Sequence, residues 1–337
     1  MSPATPDSAS PPDPASPTAG VIGLGIIGSR AASCLRRAGY HVWVWNRTLR
    51  PEPNFLATPA EVADSARHIQ IFVSNGDALL SVVRAMTPVL TPAHIILNHA
   101  TVSPRDTLEA AEIVRDRQAA FLDAPFTGSR DAAGAGQLVY YVGGDSAVLE
   151  SVRPLLEASS KQILPVGEIG QASVLKIASN LLAASQVGAL AEALALLDRH
   201  GVELHKLALA LEKNAARSGV VDMKLPAMLS GDFEPRFSLK HMFKDLQLAL
   251  SMARDKDIEI PTASAFTGMA MAALQRGWGE SDFSVVSRFY DYPGTGHAMP
   301  PEPAPNLAPQ PEAPPNPSPT SSKKSLANLW GLLGGKK

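Results

Sequence analysis

Three glycines constrain this chain more than any other feature. Val21-Ile-Gly23-Leu-Gly25-Ile-Ile-Gly28 continues an apolar, β-rich run, opens a helical stretch, and precedes a second β-rich run at His41–Trp45. A GxGxxG pattern in isolation says little. Between a strand and a helix it marks a tight turn and a backbone that something approaches closely. In a dinucleotide-binding reading, Gly23 permits the turn, Gly25 leaves room for a pyrophosphate, and Gly28 lets helix pack against strand. The backbone from Leu24 through Ile26 and Ile27 then offers N–H groups and the positive end of a helix dipole to phosphates. The plainer alternative is a glycine-rich turn without a ligand.

The rest of the N-terminal half supports dinucleotide binding. Further β-rich runs at Ile69–Ser74, His94–Asn98 and Ala120–Asp123 alternate with helical stretches such as Ser29–Ala38 and Ala78–Val89, and runs at Leu138–Val142 and Gln162–Leu164 complete the series. Strand, helix, strand at this spacing predicts a mostly parallel sheet. From Gln171 the pattern turns helical. Ala172–His200 is one Ala/Leu-rich stretch without proline, about 40 Å long as a helix, and further helices are expected near Glu203–Arg217, Leu239–Lys256 and Pro261–Arg276. The fold class is therefore α/β: an N-terminal Rossmann-type dinucleotide-binding domain (residues 19–170), then an all-α domain (171–293) for substrate binding and dimerisation. A ligand cleft is expected at their junction. Trp43 and Trp45 alternate with Val42 and Val44 and are expected in the core.

The residue after the second strand selects the cofactor. A carboxylate there would hold the ribose 2′-hydroxyl of NAD, but the chain reads Asn46-Arg47-Thr48, with Arg50 close by. A guanidinium suits a 2′-phosphate. NADP(H) is expected to be preferred, with NAD(H) as the lesser option; a solvated loop charge is the bland reading of Arg47.

Composition removes several other classes. The 30 basic and 32 acidic residues give a net charge of −2, which argues against a nucleic-acid binder. One cysteine, Cys34, excludes an intrachain disulfide, and no Cys/His cluster suggests a metal. His94, His99, His200, His205 and His241 are read as structural or surface groups. No uncharged apolar run reaches the ~18 residues of a spanning helix, and the N-terminus lacks signal-peptide order. A soluble, cytoplasmic protein is expected.

Four ordered segments resemble the β-hydroxyacid dehydrogenases, the family of 3-hydroxyisobutyrate dehydrogenase, tartronate semialdehyde reductase and the glyoxylate/succinic semialdehyde reductases. They are Gly23–Thr48; Phe121-Leu-Asp-Ala-Pro-Phe-Thr-Gly-Ser129; Gly170-Gln-Ala-Ser-Val-Leu-Lys176-Ile-Ala-Ser-Asn180; and Phe237-Ser-Leu-Lys-His-Met-Phe-Lys244-Asp245-Leu. The resemblance covers about residues 20–290. It implies that Lys176 and Asn180 are catalytic, and that Thr127, Gly128, Ser129 and Lys244 bind a small carboxylate-bearing aldehyde or hydroxy acid. It further implies that Ser74, Thr101, Phe237 and Lys244 join Asn46, Arg47 and Thr48 around the cofactor, and that the protein is a homodimer or homotetramer.

The residues carry part of this by themselves. Lys176 and Asn180 are four apart on one helix and share a face. Leu175, Ile177 and Leu181 flank them, so a desolvated lysine with a lowered pKa is expected, suited to protonate a carbonyl oxygen. A snorkelling lysine is the structural alternative. Two hydroxyls and backbone N–H groups around Gly128 suit a carboxylate; a helix-capping turn is the other reading. Ser103 before Pro104 reads as an N-cap, and Asp245 as a structural partner of its helix.

The chain departs from the family pattern at Thr127, where serine is usual, at Ala100, often serine, and at Asn75-Gly76, often proline or aspartate. These positions leave the substrate open. An imine reductase on the same fold is the main alternative, and Lys176 argues against it. A decarboxylating 6-phosphogluconate dehydrogenase would carry histidine where Ser179 stands. A non-catalytic cofactor-binding interaction module would not need Lys176.

Sixteen of the 29 prolines fall in residues 1–18 and 300–319, so both segments are expected to be disordered, the second as part of a Pro-rich linker over 294–324. Beyond it, Leu326, Leu329, Trp330 and Leu333 fall on one face of a short helix flanked by lysines. Segment 325–337 is read as a short amphipathic tail able to dock on a partner, a cargo-recruiting protein shell among the options by analogy.

Overall fold

The computed structural model describes residues 17–290. The amphipathic segment 325–337, the linker and nearly all of the N-terminal Pro-rich stretch lie outside the described residues. Strand β1 (Thr18–Ile22) pairs in parallel with β2 (His41–Trp45), beginning at Thr18↔His41. Thr18 therefore belongs to the sheet, one residue inside the stretch expected to be disordered. Strands β3 (His68–Ile71), β4 (Ile95–Asn98) and β5 (Ala120–Asp123) extend the parallel sheet from β1. The short β6 (Phe126–Thr127) and the end of β5 both pair antiparallel with β7 (Leu138–Gly143), and β8 (Ser160–Gly167) pairs in parallel with β7. The first and third strands end at Ile22 and Ile71, earlier than the apolar runs suggested, although Gly23 N–H and Phe72 N–H still donate to Trp45 O and Ile22 O.

Helices α1 (Ile26–Arg37), α2 (Pro59–Ser65), α3 (Gly76–Met86), α4 (Pro104–Arg115), α5 (Arg130–Gly134) and α6 (Ser146–Glu157) cover the sheet. One core joins Ile22, Ile69, Ile71 and Ile96 to α2, α3 and α4 through Val62, Leu79, Val83 and Val114. The other joins Val21, Val42, Val44, Leu97 and Leu122 to α1 and α6 through Leu35, Leu149 and Val152. Burial on both faces is what a parallel sheet requires. Trp43 and Trp45 correct the expectation for the second strand. They are only half buried, at the margin of the first core, and the Trp45 indole donates to Ala57 O at 3.0 Å. On this outer strand only Val42 and Val44 face the closed side.

The helical part is built around α7 (Gln171–Arg199), joined by α8 (His205–Leu211), α9 (Gly219–Ser230), α10 (Leu239–Arg254), α11 (Pro261–Gln275) and a 3-10 segment at Phe283–Tyr290. Its core gathers Ala184, Val187, Ala191 and Leu194 of α7 with Leu225, Met228, Leu246 and Phe266. By length and composition α7 could cross a membrane; here Ala184, Val187, Ala191 and Leu194 face packed helices while Leu182 and Leu196 are exposed. The helix expected over Glu203–Arg217 ends at Leu211, where Arg217 turns onto Asp222 and the carbonyl of Glu212.

Candidate active site

The glycine loop leaves the end of β1 with its backbone held on both sides. Gly23 N–H donates to Trp45 O at 2.8 Å, and Leu24 N–H to Asn46 Oδ1 at 3.0 Å. Asn46 also donates to Thr48 O at 2.8 Å, so it staples the loop to the turn after β2. Gly23 has φ of 94°, and a Cβ there would lie 2.1 Å from Phe72 O. At Gly28 a Cβ would meet Gly23 O at 1.9 Å, so helix and loop touch through bare backbone. Gly25 is different: a Cβ there would meet nothing within 4 Å. The space in front of it is open, as a pyrophosphate requires.

Helix α1 begins at Ile26 with no side-chain cap and no acidic residue in its first turn. Those unmet N–H groups and the dipole end suit an anion. Arg47, Thr48 and Arg50 are exposed beside this opening, and the Arg47 guanidinium makes no hydrogen bond or ion pair among the described residues. The glycine loop and the start of α1 fit the pyrophosphate of a dinucleotide. Ser74 is exposed just beyond β3. Its neighbour Asn75, one of the departures from the family pattern, is the N-cap of α3, accepting from Ala78 N at 2.9 Å.

The second half of the site sits where the sheet meets α7. Asp123, the last residue of β5, is fully buried. It accepts from Gly170 N (3.1 Å), Ser173 N (2.9 Å) and Ser173 Oγ (2.9 Å). Burial pushes its carboxyl up to about 6, against the pull of these three donors. The contacts fix the first turn of α7 over the C-terminal edge of the sheet, and Lys176 comes one turn later. Sequence reasoning did not place Asp123 in the site; a carboxylate ending an otherwise apolar buried strand was the available signal.

Lys176 is 9% exposed and Asn180 8%. Lys176 Nζ donates to Asn180 Oδ1 at 2.9 Å, and Asn180 Nδ2 donates to Asp245 Oδ2 at 2.6 Å. Asp245, on α10, is 2% exposed. Its Oδ1 lies 2.8 Å from Lys244 Nζ but outside hydrogen-bond geometry. Lys244 in turn donates to the backbone carbonyl of Thr101. One continuous polar chain thus runs from the loop after β4, through α10, to the lysine on α7. Burial lowers the Lys176 pKa to about 8; Asp245 opposes that fall and Lys244 adds to it. The lysine is therefore a desolvated group rather than a snorkelling one. Leu175 does not help bury it: that side chain is exposed, while Ile177 is buried. Asp245 exceeds its expected part as a mere helix partner, being the group that holds Asn180.

The loop Thr127–Ser129 leads out of β6. Ser129 is the N-cap of α5, its Oγ accepting from Ala132 N at 3.2 Å. The capping alternative is thus realised, yet the hydroxyl hydrogen stays free to donate. Thr127 is half-buried and its hydroxyl makes no hydrogen bond among the described residues. Ser103 caps α4 as expected, accepting from Asp106 N at 3.0 Å. Phe237 enters α10 with its ring 6.2 Å from those of His241 and Phe283. His99 is buried and stacked on Phe72 at 4.5 Å. It bonds Ala124 O at 2.6 Å, and burial lowers its pKa to about 4. Among the described residues no group of three His, Cys, Asp or Glu side chains is placed to hold a metal ion.

Comparison with known proteins agrees with this geometry. Residues 18–167 match the family model described as the NAD-binding domain of 6-phosphogluconate dehydrogenase. Residues 170–290 match that described as NAD-binding of NADP-dependent 3-hydroxyisobutyrate dehydrogenase. The chain is 30% identical over 277 residues to glyoxylate/succinic semialdehyde reductase 1 of Arabidopsis thaliana, covering 79% of this chain and 96% of that protein. It is 31% identical over 290 residues to the NAD-dependent L-serine dehydrogenase of Pseudomonas aeruginosa, covering 80% and 96%. The fold is also that of 3-hydroxyisobutyrate dehydrogenase from Mycobacterium tuberculosis, with a TM-score of 0.75 and 24% identity over 82% of this chain and 99% of that one.

Proposed function

The chain belongs to the β-hydroxyacid dehydrogenase family, and from that premise we propose an NADP(H)-dependent reductase of small carboxylate-bearing aldehydes, reversible as a 3-hydroxyacid dehydrogenase. NAD(P)-dependent oxidoreduction at a CH–OH carbon is the family's chemistry. The observation that carries it is the buried Lys176–Asn180–Asp245 chain beside an open glycine cradle.

A nicotinamide cofactor, when bound, supplies or accepts the hydride. The backbone at Gly23–Gly28 and the start of α1 would hold its pyrophosphate, and Arg47 its 2′-phosphate. Thr127 and Ser129 donate hydroxyl hydrogens to the substrate carboxylate. Lys176 Nζ has three hydrogens and spends one on Asn180, so another is free to reach the carbonyl oxygen. A pKa of about 8 leaves it mostly protonated at neutral pH and willing to give that proton up. In the oxidative direction the neutral amine takes the hydroxyl proton. Asn180, held by Asp245, keeps the amine in one place. Lys244, held by Asp245 and Thr101, closes the wall against water.

A homodimer or homotetramer is part of the same proposal, supported by the exposed Leu182 and Leu196 on α7, Met223 on α9 and Met271 on α11. So is a cytoplasmic location. The experiment that tests the activity is NADPH oxidation with glyoxylate, succinic semialdehyde, methylmalonate semialdehyde and tartronate semialdehyde. Turnover of at least one is expected. Absence of turnover with all four contradicts the proposal.

A further inference from the structure

The first residue of α5, directly after the loop that offers hydroxyls to a carboxylate, is Arg130. Its Nη1 donates to Glu234 Oε1 at 2.8 Å, and its Nε lies 3.3 Å from Asp131 Oδ1. Glu234 is 104 residues away in sequence. It sits in the segment between α9 and α10, three residues before Phe237. That segment is anchored from below: Asp282 accepts from Arg236 N and Phe237 N, each at 3.1 Å. The Arg130–Glu234 pair thus joins the substrate loop to the lead-in of the helix bearing Lys244 and Asp245. Arg130 is the residue after Ser129.

We propose that Arg130 selects 3-hydroxy acids, and the matching semialdehydes, that carry a second carboxylate, and that Glu234 stands in for that carboxylate when substrate is absent. The inference rests on the proposed reductase activity. Three observations carry it. The pair is accessible, with side chains 37% and 65% exposed, so exchanging Glu234 for a ligand carboxylate sacrifices little. Arginine presents a planar fork suited to two-point carboxylate binding, and here Nη2 has no partner among the described residues. The neighbouring cations are committed elsewhere: Lys176 to Asn180, Lys244 to Asp245 and Thr101, and Lys240 to Glu280. With the free Lys176 hydrogen assigned to the carbonyl oxygen, a first carboxylate on Thr127 and Ser129 leaves Arg130 Nη2 as an unspent donor one residue along the chain.

Two substrates with the same reacting core, one of them carrying a second carboxylate on a longer arm, give the test. 3-Hydroxyisobutyrate and 2-(hydroxymethyl)glutarate share the hydroxymethyl carboxylate core, and the second replaces a methyl by a carboxyethyl arm. Their NADP+-dependent oxidation is compared in the wild type, Arg130→Gln and Glu234→Gln. The dicarboxylate is expected to have the higher kcat/KM, by about tenfold for a charge-assisted contact at a partly exposed site. Arg130→Gln removes that preference and leaves 3-hydroxyisobutyrate within about twofold of wild type. Glu234→Gln removes the internal competitor, so KM for the dicarboxylate falls while KM for 3-hydroxyisobutyrate stays. A loss in Arg130→Gln that is equal for both substrates overturns the proposal and makes the pair a clasp between segments. A wild type that prefers 3-hydroxyisobutyrate overturns it as well. Absence of turnover with both acids and with all four semialdehydes instead overturns the parent reading, and this one with it.

Discussion

Asp245 Oδ2 accepts the Asn180 amide N–H at 2.6 Å, and this contact decides which end of the amide faces Lys176. With its nitrogen bound to the carboxylate, Asn180 can present only its oxygen to the lysine, at 2.9 Å. An oxygen there accepts from the amine; a nitrogen would repel it. Asp245→Asn removes this discrimination and the charge that supports protonated Lys176. A hydrogen bond to a charged group is worth about 1.5–3 kcal/mol, so kcat should fall roughly 10- to 150-fold. Steady-state kinetics should show this loss with NADPH affinity retained. An unchanged kcat would remove Asp245 from the account.

On the proposed mechanism Lys176 sets the pH dependence. Its pKa is lowered to about 8, chiefly by burial. Reduction needs the protonated amine, so its rate should decline as pH rises through about 8. Oxidation needs the neutral amine, so its rate should climb over the same interval. Asp245→Asn should move both transitions to lower pH, because the group that opposes the fall is gone. Profiles measured in the two directions that move together would contradict the assignment.

Cofactor choice should depend on Arg47, which is exposed and without a partner among the described residues beside the glycine loop. A charge-assisted bond to the 2′-phosphate would favour NADPH over NADH by about tenfold or more. Arg47→Asp should reverse the order. Equal dissociation constants for both cofactors in the wild type would refute this.

Stability should depend on the buried pair Lys224–Asp282. Lys224 Nζ lies 2.8 Å from both carboxylate oxygens, and Asp282 also accepts from Arg236 N, Phe237 N and Ser284. Lys224→Met leaves a buried carboxylate without its cation, which costs about 3–5 kcal/mol. Denaturant unfolding should show a clearly lower midpoint. A shift below about 1 kcal/mol would mean that the backbone donors suffice.

In solution the exposed leucines of α7 should be covered by another copy of the chain. Light scattering should return a multiple of 35.5 kDa at micromolar protein. A mass equal to that of one chain would show that these side chains face water.

Much of this was legible in the sequence, and the reason is locality. The glycine cradle is specified by residues within one turn of each other, and Lys176 and Asn180 meet because one helix carries both. Asp245 was harder: it meets Asn180 across 65 residues, and only helix packing brings them together. Asp123 reaches Ser173 across 50 residues for the same reason. Helices α6 and α9 are hard to read because each contains a proline, Pro154 and Pro226, which breaks the helical pattern. Trp43 and Trp45 misled because alternation shows two faces of a strand without showing which face the helices cover.

On the proposed mechanism Lys176 moves the proton while other residues hold the cofactor, and Lys176→Ala separates the two roles. Removing a general acid typically costs about 10²–10⁴-fold. Lys176→Ala is expected to lose that much kcat for semialdehyde reduction, with the NADPH dissociation constant within a few-fold of wild type. Turnover by Lys176→Ala near the wild-type rate would contradict it.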